Sequence, residues 1–351
     1  MRQFLIRVPA LLANIGPGFD VLGVGLNLYL DIDVTIDPSV DTLSDAYGAL
    51  LKYEGSLAEK VPLALDKNLV TQCALYVLRA NGIDRFEPGT VIKVTNPVPL
   101  SRGLGSLALA IVGGIMLGNE LGQLGMDKQR LMDYALMIER HPDNIAAAML
   151  GGFVGLYLSQ LSPEEMEAKL VPLEYILPKA DTPTDKIVRQ PPPQKIGEYL
   201  KYPWNPKIKA VCIVPNFEVS TDDLRAVLPE LYTRPDIIFN LQRLAVLTTA
   251  LCQEPVNHDL IYEAMKDKIH QPYRLTLIPG LTEVLQTVTP ELNPGLCGIC
   301  LLGAGPTILC LATEGFDDIA AKVMDHFKKA GVDCEYKLLE VAHNGAVVEH
   351  K

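Results

Sequence analysis

The sequence PLSRGLGSLALA, residues 99–110, joins a glycine-rich turn directly to an apolar helical segment. Such a turn presents backbone N–H groups at the positive end of a helix dipole, where phosphate binds well. Arg102 and Ser106 add a guanidinium and a hydroxyl, which both suit phosphate oxygens. The stretch has neither a Walker ending nor the Rossmann glycine spacing. From the residues alone, a phosphate loop and a purely structural turn before a buried helix both stay open.

Composition and charge limit the classes of partner. The chain has 351 residues, 48% of them hydrophobic and 21% charged, so we expect a folded protein of two domains. Its formal net charge of -11 opposes binding to nucleic acid or to an anionic membrane. A small anion can still bind locally.

The N-terminal sequence and the cysteines point to an expected compartment. The first residues resemble neither a signal peptide nor a transit peptide, and the longest apolar run falls short of the roughly 20 residues that cross a bilayer. The odd number of cysteines favours reduced thiols. Cys297 and Cys300 form a C-x-x-C pair in an apolar segment, which favours buried strand thiols over a metal site. We therefore expect a cytoplasmic protein.

The order of strand-like and helical segments predicts α+β domains. Residues 4–36 alternate strand patterns around a glycine turn, whereas residues 68–82, NLVTQCALYVLRANG, have helical periodicity. Residues 178–206 are rich in proline and charge, so we expect them to connect two domains, residues 1–177 and 207–351.

Taken together, several motifs resemble one superfamily. P-x-x-x-G-L-G-S at residues 99–106 is similar to the ATP-phosphate motif of the GHMP kinases. Four further stretches resemble the homoserine kinases of that superfamily or its third glycine motif, in the same order along the chain: VPALLANIGPGFDVLG (8–23), IERHPDNIAAAMLGG (138–152), HQPYRLTLIPG (270–280) and LLGAGPT (301–307). The resemblance implies a ribosomal S5 domain 2-like N-terminal domain and a ferredoxin-like C-terminal domain.

The resemblance also implies an activity and its ligands. ATP, with Mg²⁺, would phosphorylate the hydroxyl of L-homoserine in threonine biosynthesis, and a homodimer is compatible with it. Asn68 would lie near adenine, while Ser106 and Glu139 would hold the metal. The ATP phosphates would meet the residues of the glycine turn: Pro99, Arg102, Gly103, Leu104, Gly105, Ser106 and Leu107.

For the amino-acid substrate, the resemblance assigns a role to each polar group. Asn14 and Asp20 would hold the amine, and Arg225 and Arg274 would clamp the carboxylate, a task suited to guanidinium. Thr221, His141 and Asn144 would complete the pocket. The implied catalytic residues are Asn144, Arg225 and Glu139, which would support direct in-line attack without a strong enzymic base.

Taken singly, several of these residues have a second interpretation. Asn14 and Asp20 could form turns, Arg225 could be a solvated helix residue, and His141 before Pro142 could end a helix. Glu139 could be a surface residue at a helix end.

The chain departs from the family pattern at four motif positions where serine is usual. Leucine occupies four motif positions, and leucine can neither ligate magnesium nor donate a side-chain hydrogen bond. Either the residues were substituted, or the source organism reads a leucine codon as serine. Three functions stay open: a homoserine kinase, a catalytically silent binding protein, and a kinase for another alcohol such as mevalonate. The positions concerned are Leu11, Leu12, Leu107 and Leu302.

Overall fold

The computed structural model describes most of the chain. The described residues are 1–42, 45–179, 182–217, 224, 226–303 and 305–351. Two of the predicted site residues, Thr221 and Arg225, lie outside them.

The described strands form two sheets. The first has seven strands, in the order β11-β1-β2-β4-β3, with β5 pairing both β2 and β6; the second has four, in the order β10-β7-β9-β8. The strands are β1 (Arg2–Ala13), β2 (Leu22–Ile36), β3 (Ala49–Gly55), β4 (Thr90–Asn96), β5 (Phe153–Leu158), β6 (Gly197–Tyr202), β7 (Lys209–Pro215), β8 (Leu296–Leu301), β9 (Ile308–Ala312), β10 (Cys334–Leu339) and β11 (Val347–His350).

In the β1–β2 hairpin, burial increases along β1 toward the turn. The first half of β1 alternates buried and half-buried residues, as a strand with one covered face does, and its last six residues are all buried. The pairing register shifts between Pro9 and Ala10. Proline has no N–H for the ladder, so such irregularities gather at it. Beyond this shift, β1 leads directly into the turn at residues 14–21.

Helices cover both sheets, which confirms the predicted α+β class. Short 3₁₀ turns lie at Ala58–Lys60 and Leu275–Leu277. The α-helices are α1 (Leu69–Ala80), α2 (Ser106–Gly122), α3 (Lys128–Ile138), α4 (Pro142–Leu150), α5 (Pro163–Lys169), α6 (Leu173–Ile176), α7 (Arg234–Ala250), α8 (His258–Ala264), α9 (Gln271–Arg274), α10 (Leu281–Thr287) and α11 (Phe316–Lys329).

Helix α2 is buried along most of its length and packs closely against α1. A Cβ atom at Gly114 would lie 2.3 Å from the Val70 carbonyl oxygen, and one at Gly118 would lie 2.7 Å from that of Ala74. Both separations are too short for a side chain, so glycine is what permits this approach. The contacts advance in the same direction along both helices, so α1 and α2 run parallel.

The segment predicted as a connector contributes to the first sheet. Residues 197–202 form β6, which pairs antiparallel with β5. The strand at 347–350, within the predicted second domain, pairs with β1 of the same sheet. The boundaries of the two domains stay a prediction.

The cysteine pair lies in β8. Cys297 and Cys300 are free and buried, and burial raises the pKa of each thiol to about 12. This agrees with the interpretation as buried strand thiols. Within the described ranges, no helix is both long and apolar enough to cross a membrane.

Candidate active site

A cavity of about 220 Å³ lies where the turn after β1, the glycine loop, the start of α4 and the turn after β8 meet. Phe19, Ser101, Ala108, Gly303 and Gly305 form part of its wall. The rest of the wall consists of predicted site residues: Asn14, Asp20, Gly103, Gly105, Ser106, Leu107, Glu139, His141, Asn144 and Arg274.

The glycine loop requires its glycines for steric reasons. Gly103 and Gly105 have φ angles of 91° and 78°, in the left-handed region that side chains disfavour. A Cβ atom at Gly103 would lie 2.9 Å from the Leu302 carbonyl oxygen, and one at Gly105 would lie 2.3 Å from Cγ of Leu11. Gly105 is the N-cap of α2 and provides no side-chain cap. The first turn of α2 therefore begins at the cavity with no side-chain cap, the arrangement that favours an anion at a helix N-terminus.

Hydrogen bonds join the three glycine motifs into one unit. The Leu11 amide donates to the Leu104 carbonyl (3.3 Å), and the Gly303 amide donates to the Ala13 carbonyl (3.0 Å). The hydroxyl of Thr307 donates to the carbonyl of Arg102. These bonds explain why motifs far apart in sequence line one cavity.

Asn14 and Asp20 form the part of the cavity wall that the turn after β1 provides. Both have left-handed backbones, with φ angles of 58° and 56°. Oδ1 of Asn14 accepts the Asp20 amide (2.7 Å), so the asparagine closes the turn that presents the aspartate. Asn14 and Asp20 therefore form a turn, and they also line the cavity, so the turn-forming interpretation does not oppose the predicted site role.

Asp143, which the sequence reasoning did not single out, lies behind this wall. Its side chain is fully buried; Oδ2 accepts the Asn14 amide (3.3 Å) and Oδ1 accepts Nδ2 of Asn144 (3.1 Å). Burial, followed by the negative charge of Asp20, raises the pKa of Asp143 to about 7. The signal available in the sequence was its place between His141 and Asn144.

Glu139 and Ser106 fit the predicted metal role. Oε1 of Glu139 accepts the backbone amide of His141 (3.1 Å) and contacts Nδ1 of its ring, and only 10% of the glutamate side chain is exposed. A solvated surface glutamate does not describe this arrangement. Ser106 Oγ accepts the Ser101 amide (3.4 Å). A carboxylate and a hydroxyl beside a phosphate loop are the hard oxygen donors that Mg²⁺ prefers.

Arg274 and Phe19 line the cavity, and Arg274 also bonds to the buried His270. Nε of Arg274 donates to the Leu224 carbonyl (3.0 Å), and its Nη1 donates to the Gly303 carbonyl (3.0 Å) and to Nδ1 of His270 (3.2 Å). Because Nδ1 accepts, Nε2 of His270 carries the proton and donates to the Gly16 carbonyl (2.9 Å). Burial lowers the pKa of His270, in keeping with a neutral ring. Neither His270 nor Phe19 was singled out from the sequence, since their contacts are long-range.

Several predicted ATP residues lie outside the cavity wall. Asn68 caps α1, where its side chain bonds the Val70 amide and the Pro62 carbonyl. Arg102 donates to the Phe217 carbonyl and to Oδ1 of Asn216 (3.4 Å), which ties the glycine loop to the end of β7. Pro99 and Leu104 are likewise not among the lining residues. Their assigned roles stay predictions.

The four leucine substitutions occupy different environments. Leu11, Leu12 and Leu302 are fully buried, whereas Leu107 is 55% exposed and lines the cavity. Only Leu107 is therefore placed to replace a hydroxyl that faces a ligand directly.

Comparisons with known proteins agree with this geometry. Residues 68–152 match the model of the GHMP kinases N terminal domain. The homoserine kinase of Candida albicans is 63% identical over 353 residues, covering 99% of this chain and 98% of that protein. The homoserine kinase of Saccharomyces cerevisiae is 56% identical over the whole of both chains.

The fold is shared as well. The crystal structure of homoserine kinase from Cytophaga hutchinsonii superimposes with a TM-score of 0.72 at 25% identity, covering 99% of this chain and 97% of that one. This confirms the predicted GHMP kinase fold. With relatives this similar over their full length, the chain belongs to the homoserine kinase family of the GHMP kinases.

Proposed function

We propose that this chain transfers the γ-phosphoryl group of ATP to the hydroxyl of L-homoserine, giving O-phospho-L-homoserine for threonine synthesis. The observation that carries the proposal is that one cavity is lined both by the glycine loop with the start of α2 and by Asp20, Asn144 and Arg274. The full-length similarity to homoserine kinases supports the choice of substrate.

The ATP phosphates lie against the amides of Gly103, Gly105 and the first turn of α2, where the helix dipole favours an anion. Ser106 and Glu139 would hold Mg²⁺, which would neutralise phosphate charge. Asn68, Pro99, Arg102 and Leu104 complete the nucleotide site around this loop.

The amino acid lies on the other side of the cavity. Asp20 and Asn14 receive its ammonium group, while Arg274 and Arg225 receive its carboxylate, with Arg225 in the part of the chain outside the described residues. His141, Thr221 and Asn144 surround the hydroxyl. Phosphoryl transfer needs alignment and charge stabilisation more than a base, so Asn144, Arg225 and Glu139 act by positioning and electrostatics.

Mevalonate is a poorer candidate because it lacks the ammonium group that Asp20 would meet. A silent binding protein is the stronger alternative. At position 107, a leucine that lines the cavity replaces a serine, and one lost charge-assisted contact of about 1.5–3 kcal/mol corresponds to a roughly tenfold to hundredfold slower turnover.

The test is ADP release measured with L-homoserine, serine, threonine and mevalonate, for the natural chain and for Leu107→Ser. We expect turnover of homoserine alone, and a roughly tenfold to hundredfold higher kcat in the variant. Leu170→Ser is the matched control, since Leu170 is similarly exposed, at 59%, but lies at the end of α5, away from the cavity. Absence of turnover in every variant, with ATP binding intact, would support the silent binder.

We also propose a cytoplasmic location, a homodimer, and two domains at residues 1–177 and 207–351 joined by 178–206. The reduced cysteines support the location, and exposed Ile237, Ile238 and Leu241 on α7 offer an apolar surface. Light scattering across a dilution series tests the assembly.

A further inference from the structure

The buried carboxylate of Asp143 connects residues on two sides of the amino-acid site. We infer that Asp143 is a positioning residue that fixes both the Asn14–Asp20 turn and the amide orientation of Asn144, and thereby sets affinity for an amino-acid alcohol. The inference deepens the proposed function and rests on it.

The first link runs from Asp143 to the ammonium site. Its Oδ2 accepts the amide of Asn14 (3.3 Å), a bond that this amide shares with the Leu22 carbonyl (3.2 Å). Asn14 in turn accepts the Asp20 amide on its side-chain oxygen (2.7 Å). Since Asn14 and Asp20 both adopt left-handed backbones, their turn depends on such bonds to stay in place.

The second link runs from Asp143 to the reacting hydroxyl. Its Oδ1 accepts Nδ2 of Asn144 (3.1 Å). An asparagine amide has a donor end and an acceptor end, and the carboxylate commits the donor end. The oxygen of Asn144 is then turned toward the cavity, where it accepts a hydrogen bond from the substrate hydroxyl and so orients an oxygen lone pair toward phosphorus.

The backbone around Asp143 holds it rigidly. It is the second residue of α4, after Pro142, and a Cβ atom at Gly23 of β2 would lie 2.6 Å from its carbonyl oxygen. This close approach between α4 and β2 leaves the side chain fully buried. A buried carboxylate that is bonded on both oxygens transmits small displacements to each partner, because neither bond has water as a substitute.

The matched experiment compares Asp143→Asn with Asp133→Asn. Asp133 is also a buried carboxylate, with 1% exposure, and it accepts the Lys195 and Ile196 amides and Arg130, none of which lines the cavity. Kinetics with L-homoserine and ATP, and thermal unfolding, are measured for both variants and the natural chain.

We expect Asp143→Asn to raise KM for homoserine about tenfold or more and to lower kcat, with KM for ATP changed less than about twofold. Asp133→Asn should lower the unfolding midpoint and leave both KM values unchanged. Equal KM values for homoserine in the two variants would overturn the inference. Should Asp143→Asn not fold, Asp143→Ser, which keeps one small acceptor, replaces it.

A double-mutant cycle with Asn144→Ala separates positioning from general damage. If Asp143 acts on kcat through Asn144, its replacement costs far less kcat in the Asn144→Ala background than in the natural chain. Additive losses would contradict that link.

Failure of the proposed function has a different signature. In that case the natural chain would show no homoserine turnover. Homoserine affinity would then be measured by calorimetry for the natural chain and both variants. Binding that weakens in Asp143→Asn but not in Asp133→Asn would still support the inference, while no homoserine binding by the natural chain would overturn both proposals.

Discussion

The two sides of the cavity differ in the part of the polypeptide that lines them: main chain on one side and side chains on the other. The proposed phosphate side consists of the backbone of Gly103, Gly105 and the start of α2, whereas the proposed amino-acid side consists of the side chains of Asp20, Asn144 and Arg274. A backbone site survives exchange of its side chains as long as the chain path is kept. Under the proposed function, this difference predicts opposite sensitivities of the two sides to side-chain and backbone changes.

Asp20→Asn should have the largest effect, because the amino-acid side relies on charge. We expect kcat/KM for L-homoserine to fall about a hundredfold, with ATP affinity little changed, since a charge-assisted contact of about 1.5–3 kcal/mol is lost. Kinetics with 4-hydroxybutyrate, which lacks the ammonium group, supply the control. A variant that still prefers homoserine as strongly as before would show that Asp20 does not meet the amine.

Gly105→Ala should damage the phosphate side through the backbone. The new Cβ would lie 2.3 Å from Leu11 at a φ of 78°, so we expect a loss of about 1–3 kcal/mol of stability and a weaker ATP affinity by about tenfold. Gly82→Ala is the matched control: its φ is 79° and no atom lies within 4 Å of the added Cβ. Isothermal titration with an ATP analogue measures the affinity of both variants. Equal affinities of Gly105→Ala and Gly82→Ala would contradict the steric argument.

The pH dependence should appear on the amino-acid side alone. Two charged or titratable groups act on Asp143: Asp20, in the turn after β1, and His141, at the start of α4. With a pKa of about 7, Asp143 is largely protonated at pH 6. An ammonium group favours the ionised form, so KM for homoserine should fall by up to about tenfold between pH 6 and pH 8. KM for ATP serves as the internal reference, and Asp143→Asn should flatten the profile.

The same titration has a consequence for stability of the opposite sign. The folded pKa of Asp143 lies above its ordinary value of 3.8, so the unfolded chain gives up this proton at lower pH than the native protein does. Native stability should therefore decline as pH rises from about 4 to about 7, and Asp143→Asn should lose this component. Urea unfolding at several pH values measures the change.

Leu107→Ala should give the smallest effect and separates the bulk of the leucine from its missing hydroxyl. Because alanine restores space but no oxygen, we expect kcat to rise less than about threefold, well below the effect of Leu107→Ser. An equal gain from both variants would assign the defect to bulk.

The sequence predicted what local patterns and motifs can encode. Gly103, Gly105, Asp20 and Glu139, which the motifs assign to one site, all line one cavity, and their assigned roles stay predictions. Their spacing within each motif is short, so each motif carries its own geometry.

Long-range contacts account for what was missed. His270 and Phe19 both contact Arg274. Asp143 accepts a hydrogen bond from Asn14, which lies more than a hundred positions away in the sequence. The sequence does not show which of the four leucines are buried, whereas the structure buries three and exposes Leu107 in the cavity. Burial depends on the packing of distant strands and helices, which no local pattern contains.

The close packing of α1 and α2 has a consequence for nucleotide choice. Gly114 and Gly118 set how near α1 lies to the helix that begins at the phosphate loop, and α1 carries Asn68 at its first turn. The separation of these two helices would therefore set the distance between the predicted adenine site and the predicted triphosphate site. A larger residue at either glycine would push α1 and α2 apart and increase that distance, although neither glycine is among the predicted ATP-binding residues.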